Sequence, residues 1–197
     1  MKVVTDGVYE TEKMNVVIEA SSVIKTFKKV KDYKKRYFRE KIALQRLIGL
    51  DNFPKLLHFD DENTTLTMSR LKGTAPETLS VKQIILLREM VANMLAQGVA
   101  RHAMPVRDLL ADSDENLGMV DFERITFRSF EWSPIWLIAK KVSHYHLYRL
   151  IRTYQPQQLT EQEYAFLAKT DTIRDYLMKL KPLKLKLKNM FKNRSNK

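Results

Sequence analysis

The chain contains no cysteine. Disulfides and thiolate metal sites are therefore excluded, and a reducing compartment fits best. Glycine is scarce, with 5 in 197 residues, and Gly7 is the only one ahead of Gly49. A loop whose glycines let backbone N–H groups close on a phosphate therefore cannot form early in the chain. No stretch approaches the roughly 18 uncharged apolar residues that a bilayer span needs. The opening Met1-Lys2-Val3-Val4-Thr5-Asp6 places an acid where a signal peptide would need a long apolar run, so none is expected. No acidic residue follows Asp175, and no internal repeat or low-complexity linker is visible.

What is present bounds the chain further. Hydrophobic residues make up 44% of it, enough for one sizeable core or two small lobes and too much for a disordered chain. The formal net charge is +12, and its distribution is uneven. Lys179, Lys181, Lys184, Lys186, Lys188, Lys192, Arg194 and Lys197 crowd the end, and a second basic cluster runs from Lys25 to Lys41. Partners carrying phosphate or anionic lipid are favoured.

Residues 3–10, 14–20 and 22–27 read as strands, the last rich in β-branched side chains. Tyr33, Tyr37, Phe38, Ile42, Leu44 and Leu47 follow helical spacing over residues 32–47. Strands are expected at 55–59 and 65–69 around the turn Asp60-Asp61-Glu62-Asn63, then a connector over 73–79 containing Pro76. Ser80 should cap a helix ending near Gln97. Residues 101–107 read as irregular, 109–111 and 117–120 as short strands, and 134–154, 160–168 and 171–191 as helices, with Pro182 starting or kinking the final segment. Trp132 and Trp136 are expected to pack among these helices. His144 and His146, two apart on a helix, share no face and do not suggest zinc. Strands with one helix, followed mostly by helices, make the pattern of an α+β protein.

Two segments carry chemistry. In Met119-Val120-Asp121-Phe122-Glu123 an apolar pair leads into Asp-Phe, placing a carboxylate at the end of a buried strand. In Val23-Ile24-Lys25 an apolar pair leads into an ammonium in mid-strand. In this order and at this separation they resemble the protein-kinase-like superfamily over roughly residues 5–125, and within it the small bacterial kinases of lipopolysaccharide-core sugars (the Kdo and heptose kinases). The resemblance implies a two-lobed α+β fold with a small antiparallel-sheet N-lobe carrying one helix (residues 1–72) and a shortened helical C-lobe (73–175). It implies that Lys25 pairs with the α- and β-phosphates of ATP, and that Glu40, in Phe38-Arg39-Glu40-Lys41-Ile42-Ala43-Leu44, holds that lysine in place. Thr67-Met68-Ser69-Arg70-Leu71-Lys72-Gly73 resembles the hinge that receives adenine, with Met68, Ser69 and Leu71 as candidate contacts. Asp121 matches the metal-binding aspartate, a hard oxygen ligand suited to Mg²⁺, with Glu123 where glycine usually stands.

The catalytic loop departs from the family pattern. The run from Gln97 to Leu110 resembles Gly-Val-x-His-Arg-Asp-x-x-x-x-Asn-Leu-Leu. Counting back from Asp121 puts Asp108 at the metal-binding asparagine, where it can still ligate Mg²⁺, and Ala103 at the catalytic aspartate. Alanine cannot accept a proton, so His102, one residue away, is the candidate substitute base. A second alignment makes Asp108 the base itself, but leaves too few residues before Asp121 for the metal-binding asparagine.

Residues 176–197 interleave Leu177, Leu180, Leu183, Leu185, Leu187, Met190 and Phe191 with lysines, the pattern of a tail lying on an anionic membrane surface. Few aromatics stand there to stack bases, so nucleic acid is not the favoured partner. The resulting expectation is a bacterial ATP- and Mg²⁺-dependent phosphotransferase acting on a lipopolysaccharide-core sugar or related glycolipid. It would be cytoplasmic and peripheral at the inner face of the cytoplasmic membrane. The alternative is a catalytically inactive kinase fold serving as a membrane- or protein-binding regulatory module.

Overall fold

A computed structural model describes the backbone of residues 7–194 and the side chains of residues 7–179. The first half of the chain builds a sheet. Strands β1 (Val8–Glu10), β2 (Met14–Ile18), β3 (Ser22–Phe27), β4 (Leu56–Asp60) and β5 (Thr65–Ser69) pair antiparallel in the order β1-β2-β3-β5-β4. Period-two alternation sets the facing: Leu66 and Met68 of β5 are buried, while Thr65, Thr67 and Ser69 are not. Register then places Lys25 opposite Val16 on one side and Leu66 on the other. Helix α1 (Tyr33–Arg46) lies between β3 and β4 in sequence, and its Tyr37, Ala43 and Leu44 are fully buried in the same core as Phe27 of β3.

Helix α2 (Val81–Ala96) begins at a complete capping box. The Ser80 hydroxyl accepts from the Gln83 N–H at 3.2 Å, and the Ser80 N–H donates to Gln83 Oε1 at 3.0 Å. A cap of this kind stabilises a helix by about 1 kcal/mol. Ile84, Leu87, Met90, Val91 and Met94 carry the helix's apolar stripe into the core. Beyond it come β6 (Val99–Arg101), a 3₁₀ turn over Val106–Asp108, β7 (Leu109–Ala111), β8 (Leu117–Met119) and β9 (Ile125–Phe127). β6 pairs with β9 and β7 with β8. Helices α3 (Pro134–Tyr154) and α4 (Glu161–Arg194) complete the chain.

One core joins the halves: Leu66, Ile84, Met119, Phe122, Trp136 and Ile151 belong to a single buried cluster. At the seam, Gly73 adopts φ +98, and a β-carbon there would stand 2.2 Å from the Ala111 carbonyl oxygen. Only glycine lets the chain pass this close, which permits the bridge between Thr74 and Ala111, with N···O distances of 3.0 and 2.8 Å.

Three expectations are corrected. The segment read as irregular contains part of β6 and a 3₁₀ turn, because β6 finds its partner in β9, a strand too short to show periodicity. The two helices expected at 160–168 and 171–191 are one, running through Pro182 rather than starting anew there. No glycine or proline separates them, and Thr170 and Thr172 return their hydroxyls to the carbonyls of Phe166 (2.7 Å) and Ala168 (2.9 Å), satisfying themselves within the helix. Trp136 is buried as expected, but Trp132 is 74% exposed and leans on Phe130 ahead of α3. The early part of the first expected strand and the tail side chains beyond residue 179 lie outside the described residues. Among the described residues no helix is long and apolar enough to cross a membrane.

Candidate nucleotide and metal site

β3 delivers Lys25 to the floor of the sheet, and α1 delivers Glu40 beneath it. The ammonium Nζ donates to Glu40 Oε2 at 2.6 Å, with the two side chains 7% and 2% exposed. The same ammonium reaches Asp121 Oδ1 at 3.2 Å, across 96 residues of chain. It also reaches Glu123 Oε1 at 3.0 Å. Arg36 Nε approaches the other Glu123 oxygen at 3.6 Å. Five ionisable groups thus meet in one cluster, four of them largely buried and Asp121 partly open to solvent.

Burial alone would lower the Lys25 ammonium, but Glu40, Asp121 and Glu123 outweigh it and hold its pKa well above the usual lysine range. Burial pushes the Glu40 carboxyl up to about 7, with the Lys25 ammonium working against it and Asp121 adding to the rise. Burial likewise raises Asp108, opposed first by Arg101.

Asp121 follows β8 and sits at φ +68 in the left-handed region, one of few non-glycine residues here to do so. Aspartate tolerates this conformation better than most residues, and such strain gathers at functional positions. The twist leaves its side chain 41% exposed while its neighbours Phe122 and Glu123 are buried. Asp121 consequently lines two cavities.

The first cavity, about 260 Å³, lies under the sheet. Its walls include Tyr9, Val16, Ile18 and Val23 from β1–β3, Met68 to Leu71 at the end of β5, Leu110, and the Lys25, Glu40 and Asp121 side chains. The residues singled out from sequence as nucleotide contacts, Lys25, Glu40, Met68, Ser69 and Leu71, all border it. The wall is apolar with a charged end, the shape of a site for a flat base joined to an anion. The hairpin between β1 and β2 offers little to a phosphate. Its amides are used internally, Lys13 N–H and Met14 N–H both donating to the Thr11 hydroxyl at 3.2 and 3.1 Å, and Thr11 N–H to the Met14 carbonyl at 2.9 Å.

The second cavity, about 430 Å³, lies on the other side of Asp121 and is lined by Arg101, Ala103, Arg107, Asp108, Arg124, His146 and Arg149 among others. Asp108, carried on the 3₁₀ turn, is held by Arg101 at 2.7 Å. Arg101 also donates through Nε to the carbonyl of Ala103 (3.2 Å) and through Nη1 to that of Val120 (2.8 Å), tying the loop to the end of β8. Asp108 and Asp121 thus border one space and offer hard carboxylate oxygens, the donor chemistry a Mg²⁺ ion takes. Glu40, Asp121 and Glu123 also bring oxygens within 4.8 Å of one another, but the Lys25 ammonium already answers that charge.

His102 is placed differently from the base suggested above. Its Nε2 lies 2.7 Å from the Thr126 hydroxyl on β9, and it is not among the residues lining the second cavity. The β6–β9 pairing causes this: the His102 N–H bonds the Arg124 carbonyl at 3.0 Å, so alternation turns its ring toward β9 and Ala103 toward the cavity. Sequence reasoning missed the Glu123–Lys25 and Glu123–Arg36 contacts and the anchoring role of Arg101. An acid in place of glycine after Asp-Phe was the one available signal for the first.

These elements make a protein-kinase-like α+β fold, a small antiparallel sheet with one helix set on a helical half. No family model and no curated protein among those compared matches the chain. Among solved structures it is similar to WbdD, crystallised with the kinase inhibitor LY294002. The TM-score is 0.55 at 18% sequence identity, covering 85% of this chain and 46% of that one. The chain therefore spans less than half of that protein's length, and the likeness is one of fold.

Proposed function

We propose that this chain is an ATP-dependent phosphotransferase acting on a lipopolysaccharide-core sugar or related glycolipid at the cytoplasmic membrane face. The observation that carries the reading is the position of Asp121 as the shared wall of two cavities, one ending at Lys25 and Glu40 and the other containing Asp108. In this reading adenine lies against Val16, Val23 and the Met68–Leu71 stretch, Lys25 meets the phosphates, and Asp108 and Asp121 hold Mg²⁺. The metal would neutralise charge on the transferring phosphoryl group. The acceptor hydroxyl, in the second cavity, attacks the γ-phosphorus as the bond to the β-phosphate oxygen breaks and ADP leaves, its proton passing late to an oxygen of the transferred phosphoryl group. Ala103 supplies no base. Because the transition state is loose, positioning and charge do most of the work, so turnover is slow rather than absent.

An exposed ridge supports the membrane location. Trp132, Ile135 and Ile138 stand out at the start of α3 beside Phe130, with Lys141 just beyond. Apolar and aromatic side chains with Lys141 beside them, interrupted only by Glu131, on a protein of net charge +12, suit an anionic bilayer surface.

The test is thermal unfolding with ATP and Mg²⁺, followed by ATP turnover with a core-sugar acceptor. A stabilising shift that Lys25→Met and Asp121→Asn abolish is expected. Turnover unchanged in Asp121→Asn would sink the metal role. Ala103 and the internally bonded hairpin tip favour a second reading, an inactive kinase fold acting as a binding module. It predicts no nucleotide shift with or without metal.

A further inference from the structure

We propose that the second cavity is an oxyanion-binding subsite, and that the acceptor carries a carboxylate or phosphate group received by Arg124 and Arg149. This rests on the phosphotransferase reading of the same site and narrows its acceptor.

Four arginines border the cavity, and they are not equivalent. Arg101 is buried and consumed by Asp108 and two carbonyls, so it is structural. Arg107 is 79% exposed and only loosely near Asp108, at 3.9 Å. Arg124 and Arg149 have no carboxylate within ion-pair distance among the described residues. Arg149 lies over the Tyr145 ring, its guanidinium carbon 5.6 Å from the ring centre, an arrangement that orients the planar fork before any ligand arrives.

The acids nearby are engaged by other groups. Asp108 is held by Arg101; Asp121 and Glu123, which also line this cavity, reach the Lys25 ammonium; and Asp171, whose charge is felt by Arg149, is bonded by Tyr145 and Arg152. Arg124 and Arg149 therefore bring to the cavity guanidinium forks that no carboxylate engages within ion-pair distance among the described residues, suited to bidentate contact with a planar carboxylate or a phosphate. At about 430 Å³ the cavity falls within the range of small-ligand pockets. His146 lines the same space, where burial and then Arg149 lower its pKa, and its ring nitrogens can bond a sugar hydroxyl.

Binding of three probes by calorimetry tests this: glucuronate, glucose 6-phosphate and glucose. The acidic probes are expected to bind at least tenfold more tightly than glucose, and Arg124→Gln or Arg149→Gln to weaken them about tenfold each. Lys169→Gln, which removes one exposed charge elsewhere, should leave probe binding unchanged. Preference for glucuronate marks a carboxylate acceptor and preference for glucose 6-phosphate a phosphorylated one, and either supports the subsite. Equal affinity for glucose, indifference to both arginine changes, or an equal loss in Lys169→Gln overturns it. Saturating ATP and Mg²⁺ should leave the acidic probe bound, and displacement of the probe by nucleotide overturns a separate subsite. Nucleotide binding is read independently by the thermal shift. A shift without oxyanion binding rejects the subsite alone, and oxyanion binding without a shift rejects the phosphotransferase reading.

Discussion

Glu123 Oε1 lies 3.0 Å from Lys25 Nζ, so a residue standing where kinase-like chains carry glycine completes a ring of three carboxylates around one buried ammonium. Removing the cation leaves the buried Glu40 and Glu123 facing each other with little water, beside the partly exposed Asp121. Lys25→Met is expected to lose roughly 3–5 kcal/mol of stability in urea denaturation, since an uncompensated buried charge is far more costly than a missing pair. The double change Lys25→Met with Glu40→Leu should recover a large part of that loss while restoring no nucleotide response. A single variant within about 0.5 kcal/mol of the native protein would contradict the tight coupling of this cluster.

Gly73 is the seam between the sheet and the helical half. Gly73→Ala must place a β-carbon 2.2 Å from a backbone oxygen while holding φ at +98. Backbone cannot yield as a side-chain tip can. A loss of about 2–4 kcal/mol is expected, visible as a lower urea midpoint with an unchanged slope. Gly118→Ala should be milder, because the nearest atom there is the flexible Leu71 Cδ1 at 2.7 Å, but it should disturb the first cavity, which Leu71 lines.

Acid sensitivity should trace in part to His144. Its Nδ1 is buried with no hydrogen-bond partner, and burial, assisted by Lys140, lowers its pKa below the usual histidine value. The unfolded chain therefore binds a proton at higher pH than the folded one. Stability from this group is complete above the unfolded value of about 6.5 and is lost as pH falls from there through the lower folded value. His144→Phe should flatten the fall in melting temperature between pH 7 and roughly 5.5. An identical pH profile in the variant would remove His144 from the account.

The ridge ahead of α3 predicts binding to anionic vesicles. Vesicles containing phosphatidylglycerol should float with the native protein, and Trp132→Ser combined with Ile135→Ser should lower the partition about tenfold or more. Vesicles of neutral lipid alone should bind more weakly, and added salt should close that gap. Equal flotation of native and doubly substituted protein would assign the interaction to another surface.

Much of the frame was legible before any coordinates. The β-branched run of β3, the Ser80 cap of α2 and the helical spacing of α1 are local signals, written within a few residues of where they act. Lys25 and Asp121 could be picked out because each sits at a strand position whose neighbours are apolar. The β6–β9 ribbon was not legible, since three-residue strands carry no period. The direction of the His102 ring followed from that ribbon, its partner Thr126 lying 24 residues away. The single α4 helix was missed for the opposite reason, because threonines that discourage helices in isolation are satisfied by their own carbonyls here.

Element types and the residues bearing charge thus follow from the order of amino acids, because propensity, capping and apolar spacing act over one or two turns of chain. Which charges meet is a different matter. Lys25 and Asp121 are 96 residues apart, and they meet because the sheet, the Gly73 seam and the β8 turn leave one place where an ammonium and three carboxylates come together. The same packing brings Arg124 and Arg149 to one cavity with no carboxylate within ion-pair distance of either among the described residues. Long-range electrostatics of this kind is a property of the folded surface, and no stretch of sequence contains it.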